Sequence, residues 1–413
     1  MKKVLLTLAL AILGQFAIAQ DIQVQNAYKM QKDAQGFIEQ ADAYKTQNKT
    51  EKAAKQMQNA KITIIKAKEA IDAASTHEKT MNQAKTWHYY AVIYYKIGAY
   101  PEFHDVDAEA FVKVLVAIDK IKSIDNDYFM RMGQELSSYV RSIDNTYYSF
   151  GVDSFNNNNF EDAMANFQKA NEAATKLGTI DDAALINLAI CAAKLGKFDV
   201  AKETYETLIS KGYEDATIYA GLISAYRELG LGDQAVEAIS TARAKYPDNP
   251  QLVNEMINTY LMLHREAEII GEIEAMAEKY TNQPVYYMIL GQIYSNNEST
   301  QYNIDKALEN YEKAIAEKND YADAYYEAGA LLMNEAADIA KEADEKDPKD
   351  FANFNAYLDA TDKLAADAKA YNERALPYME KAYELLPDDE AVKHALKTLY
   401  TRLKMIDKVK ALE

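Results

Sequence analysis

The sequence predicts an all-α fold built from a stack of helix pairs, and two observations carry this prediction. Glycine and proline are sparse among the 413 residues, at 14 and 7, while Ala, Glu, Lys, Leu and Tyr are abundant, which is a helical composition. Four sets of residues recur with a shared period of 34: Leu195-Gly196 and Leu229-Gly230; Ala201 and Ala235; Tyr226, Tyr260 and Tyr294; Pro250 and Pro284. A fixed period of this length indicates a repeat protein, because a single helix pair cannot bury its apolar face without neighbours.

Residues 1–19 have the pattern of an export signal. Two lysines precede a short apolar run, which ends in the small-residue pattern Ala17-Ile18-Ala19. This order is typical of a secretory signal peptide with an A-x-A cleavage site. We therefore expect an exported protein, located in the periplasm or secreted. No later segment reaches the roughly 20 apolar residues of a membrane span, so we expect no transmembrane segment.

The negative charge argues against a nucleic-acid partner, and the single cysteine excludes an internal disulfide. The formal net charge is −18, and loss of the two lysines of the signal makes it −20. Such a chain repels phosphate backbones, so we expect no nucleic-acid partner. The only cysteine, Cys191, cannot form an internal disulfide and is expected to be a small core residue.

The periodic positions resemble the tetratricopeptide repeat (TPR), whose two-helix unit favours a large residue at position 4, Leu at 7, a small residue at 8, Tyr at 11, Ala at 20, an aromatic residue at 24, Ala at 27 and Pro at 32. Three consecutive units match: Tyr147, Phe150, Gly151, Ser154, Ala163, Phe167 and Ala170 from Asp144; Leu185, Leu188, Ala189, Ala192, Ala201, Tyr205 and Leu208 from Asp182; Tyr219, Leu222, Ile223, Tyr226, Ala235, Ile239, Ala242 and Pro247 from Ala216. Further units start at Pro250 and Pro284. The resemblance implies a right-handed α–α superhelix, with the main array at residues 144–321.

Residues 20–143 are interpreted as an N-terminal helical region with degenerate TPR-like units. Trp87, Tyr90, Ala91 and Tyr94 fit positions 4, 7, 8 and 11 of such a unit, and about seven extra residues precede its second half. Upstream, residues 53–74 read as one long helix, the second of a capping pair. Residues 20–27 are expected to be a loose tail.

Residues 322–413 are interpreted as a C-terminal unit interrupted by an insertion. The unit starts at Ala322, but the second-helix pattern begins only at Ala375, which leaves about 333–374 inserted. The inserted stretch has one strong helix-breaking cluster, at 344–350, so we predict one overlong helical hairpin rather than an additional repeat. Its arms would extend ~20 Å beyond the neighbouring helices, at 1.5 Å per residue. Capping helices follow to the end.

Paired tyrosines raise the question of whether they mark a site or a packing pattern. In the TPR frame Tyr147 and Tyr325 take the core position 4, whereas the residues that follow them take position 5. In that family positions 2, 5, 9 and 12 line a concave groove, so the resemblance implies binding of a peptide or a partner protein there. The candidate groove residues are Tyr148, Arg227, Asn254, Asn258, Gln292 and Tyr326. The alternative, that Tyr is simply the favoured large residue of this array, stays open.

No catalytic, cofactor or metal motif stands out in the sequence. The five histidines are scattered without an H-E-x-x-H pattern, and each is expected at the surface or in the groove. The stretch 153–162, DSFNNNNFED, lacks the glycine of a calcium loop and reads as a turn between helices. We therefore expect a non-enzymatic interaction scaffold of the cell envelope without a cofactor. The alternative is a structural component of an envelope assembly, acting through its outer faces and the hairpin.

Overall fold

The computed structural model describes residues 2–412, and it describes the side chains of residues 22–412. Within these residues there are 19 α-helices, three short 3-10 helices and no strand, which confirms the predicted all-α fold. The predicted signal peptide, residues 1–19, lies outside the residues whose side chains are described. The chain divides into two compact units, Met1–Tyr246 and Pro247–Glu413. This division cuts the predicted 144–321 array after its third well-matched helix pair.

The first unit contains eleven helices in its described part. They are α1 (Lys2–Thr46), α2 (Thr50–Thr76), α3 (Ala84–Ala99), α4 (Ala110–Ile124), α5 (Asn126–Arg131), α6 (Gly133–Asn156), α7 (Phe160–Thr175), α8 (Asp182–Lys194), α9 (Phe198–Ser210), α10 (Ala216–Glu228) and α11 (Gly232–Lys245).

The second unit contains eight described helices. They are α12 (Pro250–Met262), α13 (Ile270–Lys279), α14 (Val285–Ser295), α15 (Ile304–Glu317), α16 (Ala322–Glu345), α17 (Phe354–Leu385), α18 (Glu390–Arg402) and α19 (Ile406–Ala411).

Helices pack mainly against their neighbours along the chain. In the first unit α6 packs on α7, α8 on α9, and α10 on α11, and each pair also contacts the next through α7 with α8 and α9 with α10. First helices of successive pairs also meet, as α8 and α10 do. In the second unit α14 packs on α15, α15 on α16, and α16 on α17. This nearest-neighbour packing is the arrangement expected of stacked helix pairs.

Local sequence signals set the ends of many helices. A side-chain oxygen at the N-cap accepts a hydrogen bond from a backbone N–H of the first turn, which satisfies a donor that the helix cannot pair. The residues that act in this way are Asp125, Asn159, Asp181, Asp215, Asn249, Asn303, Asn353 and Asp389.

The repeated Leu-Gly pair ends the first helix of two successive pairs. Gly196 and Gly230 both have φ of +70°, in the left-handed region that glycine enters without strain. The residue after each glycine donates its N–H to a carbonyl five residues earlier, at 2.8 and 2.9 Å. This is the hydrogen bond of a glycine-terminated helix. The glycines recur at 34 residues because the same turn recurs in each pair.

Other glycines admit a bulky side chain from a facing helix. A Cβ added to Gly98 would lie 2.5 Å from the Phe111 ring, and one added to Gly151 would lie 2.6 Å from the Phe167 ring. At Gly291 an added Cβ would come closer than 3.0 Å to three atoms of the Tyr311 ring. A Cβ added to Gly221 would come closer than 3.0 Å to three atoms of Tyr205, a residue of the preceding helix pair. In the contacts of Gly151 with Phe167 and of Gly291 with Tyr311, the small and aromatic positions of the pattern meet within a helix pair.

The N-terminal region agrees with one expectation, the helix over residues 53–74, and differs from another, the loose tail at residues 20–27. The helix expected over residues 53–74 is confirmed by α2, in which Ile64, Ala67 and Ile71 are fully buried. The loose tail expected at residues 20–27 is wrong, because these residues belong to α1 and Ala27 is fully buried. Contact between α1 and α2 removes the apolar side of α1 from water, which short-range sequence patterns did not reveal.

The inserted region near the C-terminus consists of two long helices. Helix α16 has 24 residues and α17 has 32, and they are joined through a 3-10 turn at Pro348–Asp350, within the predicted breaker cluster. Pro377 lies inside α17 without ending it. Helix α18 then buries Leu396 and Leu399, and the six-residue α19 follows. The distance by which the hairpin extends beyond its neighbours stays a prediction.

Other individual expectations can also be compared with the structure. Cys191 is fully buried, as expected of a core residue. The stretch 153–162 spans the end of α6 and the start of α7, so it forms a turn between helices. Over the residues that the structure describes, no helix has the length and apolar character needed to cross a bilayer.

The glycine contacts lead to a stability prediction. Gly291→Ala should lower the free energy of unfolding by about 1–3 kcal/mol, because the new methyl group overpacks the contact with Tyr311. Gly36→Ala is the matched control inside α1, since an added Cβ there meets no atom within 4 Å. It should stabilise the protein by about 0.5–1 kcal/mol through helix propensity alone. The measurement is chemical denaturation followed by circular dichroism, and equal effects of the two substitutions would contradict this packing account.

Candidate functional site

Two of the six candidate groove residues lie in the first unit, on α6 and α10. Tyr148 is half-buried, its ring centroid lies 5.6 Å from that of Phe167 in an edge-on arrangement, and its hydroxyl oxygen accepts a hydrogen bond from Asn187 Nδ2 at 3.3 Å. This hydrogen bond links α6 to α8. Tyr148 therefore contributes to packing between helix pairs and also presents part of its ring to solvent.

Arg227 lies at the C-terminal end of α10 and is held along its own helix. Its side chain is 15% exposed, Nη2 donates to Ser224 Oγ at 3.2 Å, and Nε lies 3.5 Å from Glu228 Oε1. These contacts hold the guanidinium against its own helix.

The other four candidates lie in the second unit, on the first helices of successive pairs. Asn254 and Asn258 are exposed on α12 and, being four residues apart, share one face of that helix. Gln292 is exposed on α14. Tyr326 on α16 is half-buried and packs against the hydrophobic core of this unit. The second unit therefore offers three accessible side-chain amides and one partly accessible ring.

Four of the candidates, Tyr148, Asn254, Asn258 and Gln292, are next to a buried residue in the sequence. Tyr147, at a core position, is 9% exposed, whereas Tyr148 is half-buried. Val253 and Ile257 are 3% and 4% exposed, and each precedes an exposed asparagine. Successive residues of a helix point about 100° apart, so a single helix can pack with one side and remain accessible on another.

Two of the five tyrosine doublets, Tyr94-Tyr95 and Tyr147-Tyr148, follow this division. In Tyr89-Tyr90 and Tyr325-Tyr326 both members are half-buried, so Tyr325 is not buried at its predicted core position. Tyr94 is 1% exposed and its successor Tyr95 is half-buried. At Tyr286-Tyr287 the frame places the second tyrosine at the core position, but Tyr286 is the more buried of the two. The reason is a neighbouring ring, because the centroid of Tyr280 lies 6.0 Å from that of Tyr286.

Two isoleucines of α8 were missed as groove candidates. Ile186 and Ile190 are half-buried and lie four residues apart on the same helix as Asn187. They fall at positions 5 and 9 of the unit that starts at Asp182, so the repeat frame itself contained the signal. They add apolar area beside the polar contact made by Tyr148.

The expectation that every histidine lies at the surface or in the groove is wrong for His88, which is 6% exposed. Its Nδ1 lies 2.9 Å from the Tyr128 hydroxyl and its Nε2 lies 3.2 Å from Glu135 Oε2. Burial lowers the pKa of His88, and the neighbouring Glu135 partly offsets that effect. The imidazole thereby ties α3 to α5 and α6.

A polar cleft that sequence patterns did not reveal lies in the first unit. It has a volume of about 740 Å³ and is lined by residues of α5, α6 and the connection between α7 and α8, including Arg141, Asp144 and Asp181. Burial and the adjacent Asp181 carboxylate raise the pKa of Asp144 to about 7. No sequence motif marks this pair, because the two carboxyl groups are 37 residues apart.

Comparison with known proteins gives matches among solved structures. A TPR protein from Bacteroides fragilis is 22% identical, with 62% of this chain and 98% of that chain covered and a TM-score of 0.28. A tetratricopeptide repeat protein from Parabacteroides merdae is 20% identical, with 62% of this chain and 99% of that chain covered and a TM-score of 0.40. A TPR protein from Thermus thermophilus is 21% identical, with coverages of 46% and 98% and a TM-score of 0.33. No protein-family model and no curated protein matches the chain.

The raised pKa of Asp144 predicts a pH-dependent stability. Between the unfolded pKa of about 3.9 and the folded value of about 7, the folded protein holds a proton that the unfolded chain has lost. The free energy of unfolding therefore falls as the pH rises through this range. Asp144→Asn removes the ionisable carboxyl group, so this fall with pH should disappear. The difference in free energy of unfolding between the variant and the parent protein should then grow in favour of the variant by about 1–2 kcal/mol from pH 4 to pH 8, after discounting for solvent screening.

Denaturant titrations at several pH values measure this difference. Asp153→Asn, at an exposed position on the same helix, is the matched control. A stability difference between Asp144→Asn and the parent that does not change with pH would contradict the assignment.

The chain is similar to tetratricopeptide-repeat proteins in its succession of packed helix pairs.

Proposed function

We propose that the protein is a non-enzymatic interaction scaffold of the cell envelope, which binds a peptide or a partner protein through the accessible side of its first helices. The observation that carries the proposal is the alternation of burial on those helices. Val253 and Ile257 are packed away while the residues next to them, Asn254 and Asn258, remain exposed. The accessible polar side chains are therefore not required by the core.

The chemistry of these side chains suits an extended peptide. Side-chain amides both donate and accept hydrogen bonds, so Asn254, Asn258 and Gln292 can pair with either group of a peptide backbone. In the second unit the partly exposed ring of Tyr326 supplies apolar area with a polar end and loses little rotamer entropy on binding, and Tyr148 can act in the same way within the first unit. Export, inferred from residues 1–19, places the scaffold in the envelope within this proposal.

A second role has one observation in its favour. The turn between α16 and α17 exposes large apolar side chains, with Phe354 62% exposed. A structural component that holds an assembly through its outer faces and this hairpin would use such residues. Deletion of residues 333–374 would then abolish association, whereas groove substitutions would have no effect.

The groove proposal predicts the outcome of a partner-capture experiment. Asn254→Ala combined with Asn258→Ala should lower recovery of the crosslinked partner from the envelope fraction by about tenfold, the effect of losing 1–2 kcal/mol of contact energy. Both side chains are exposed, so the helical circular dichroism signal should stay unchanged.

The matched control is Glu274→Ala combined with Glu278→Ala, a pair with the same spacing on the exposed surface of the second helix α13. It should leave recovery unchanged. Recovery that survives the asparagine substitutions but is lost with the control pair, or with deletion of 333–374, would contradict the groove proposal.

A further inference from the structure

The turn between α16 and α17 carries a cluster of apolar side chains that we call the hairpin tip: Phe351, Phe354, Tyr357 and Leu358. The ring centroid of Tyr357 lies 5.6 Å from that of Phe351 and 5.8 Å from that of Phe354. Phe354 is 62% exposed and Leu358 is 39% exposed. Large apolar side chains that are exposed together indicate an interaction surface.

The helical arms behind the tip have no core of their own. Along α16 the last buried side chain is Ala336, and along α17 the first is Ala368, so every residue of 337–367 is at least partly exposed. Ile339 and Leu364, one on each arm, are only half-buried. Two helices cannot enclose an apolar seam by themselves, and a third helix would complete the bundle.

The charge of the same segment indicates which kind of helix fits. Residues 337–367 contain nine Asp and Glu residues and four Lys residues, a net charge of −5. A second copy of this hairpin would bring another −5 against it, and an anionic lipid surface would be repelled in the same way. Asp359 and Asp362 are exposed beside Leu358 on the first turns of α17. A cationic apolar helix complements both properties.

We propose that the hairpin tip and the arms at 337–367 bind a basic amphipathic helix of a partner protein. The apolar face of that helix covers Phe354 and Leu358, and its Lys or Arg side chains pair with Asp359 and Asp362. This surface shares no residue with the candidate groove, so it goes beyond the proposed function and can fail or succeed separately.

The test uses the full chain and a fluorescent synthetic peptide of Leu and Lys, about 18 residues long, with its leucines on one helical face. Fluorescence anisotropy should show binding. Phe354→Ser combined with Leu358→Ser should weaken it at least about tenfold, as expected from removal of central apolar contacts. Asp359→Lys combined with Asp362→Lys should also weaken it, and raised salt should weaken binding to the parent chain.

Two control variants separate this surface from general effects. Ile406→Ser removes an apolar side chain that is 56% exposed on α19, and Glu274→Lys combined with Glu278→Lys reverses two charges on α13. Both should keep the affinity of the parent, and a Leu/Glu peptide should not bind. Circular dichroism confirms that the variants fold, which is expected because the changed side chains are exposed.

Equal affinity of the hairpin variants and the parent chain would overturn the proposal. It would also be overturned if sedimentation showed a dimer that the Phe354→Ser, Leu358→Ser variant abolishes, because the occupant would then be a second copy. The Asn254→Ala, Asn258→Ala variant separates the two proposals. If this variant loses partner capture but binds the Leu/Lys peptide as the parent chain does, both proposals are supported independently.

Discussion

The fold depends on close contact between a bulky side chain of one helix and a glycine on a facing helix. Phe167 lies against Gly151 and Tyr311 against Gly291, each pair within one helix pair, and Tyr205 lies against Gly221 of the next pair. Protein cores are packed at near-crystalline density, so these contacts leave little freedom in how closely the helices approach. Tyr205 and Gly221 set the approach of α9 to α10 in this way, so the accessible side of the first helix α10 is positioned as well.

Packing and accessibility are properties of the same helices, and this answers the question raised by the tyrosine doublets. Tyr147 faces the core while Tyr148 combines a packing contact with Phe167 and an exposed part of its ring. The doublet is therefore a packing pattern whose second member is also available for binding. Asn258 differs, since it is exposed beside the buried Ile257, and a change there affects the surface without affecting the core.

The long hairpin of α16 and α17 is buried near its base and at least partly exposed over the rest of its length. Near its base, Met333 and Tyr371 pack with the hydrophobic core of the second unit. Beyond Ala336 and Ala368 neither arm contains a buried side chain until the other end of the hairpin base is reached. The accessible sides of the first helices and the hairpin tip are thus two different kinds of surface. The first lies next to buried residues of the same helix, and the second lies where the two arms contain no buried residue.

Much of the architecture could be predicted from the sequence, because it depends on interactions that are local or repeated. Side chains such as Asp215 and Asn249 cap the turn that follows them, and Gly196 ends a helix through its own backbone freedom. The 34-residue period then fixes which positions are small and which are large. Of the candidate site, the repeat frame identified the helix and the face for residues such as Asn258, and it also held the signal for Ile186, which was overlooked.

The remaining features arise from contacts between residues far apart in the sequence. His88 is buried because Tyr128 and Glu135, 40 and 47 residues later, supply its polar partners. Tyr286 is buried beside a ring from the preceding helix pair, and residues 20–27 are helical in an α1 that packs against α2. Local patterns specify helices and their faces, whereas the exposure of each side chain depends on which other helix covers it, and that is settled only when the whole chain packs.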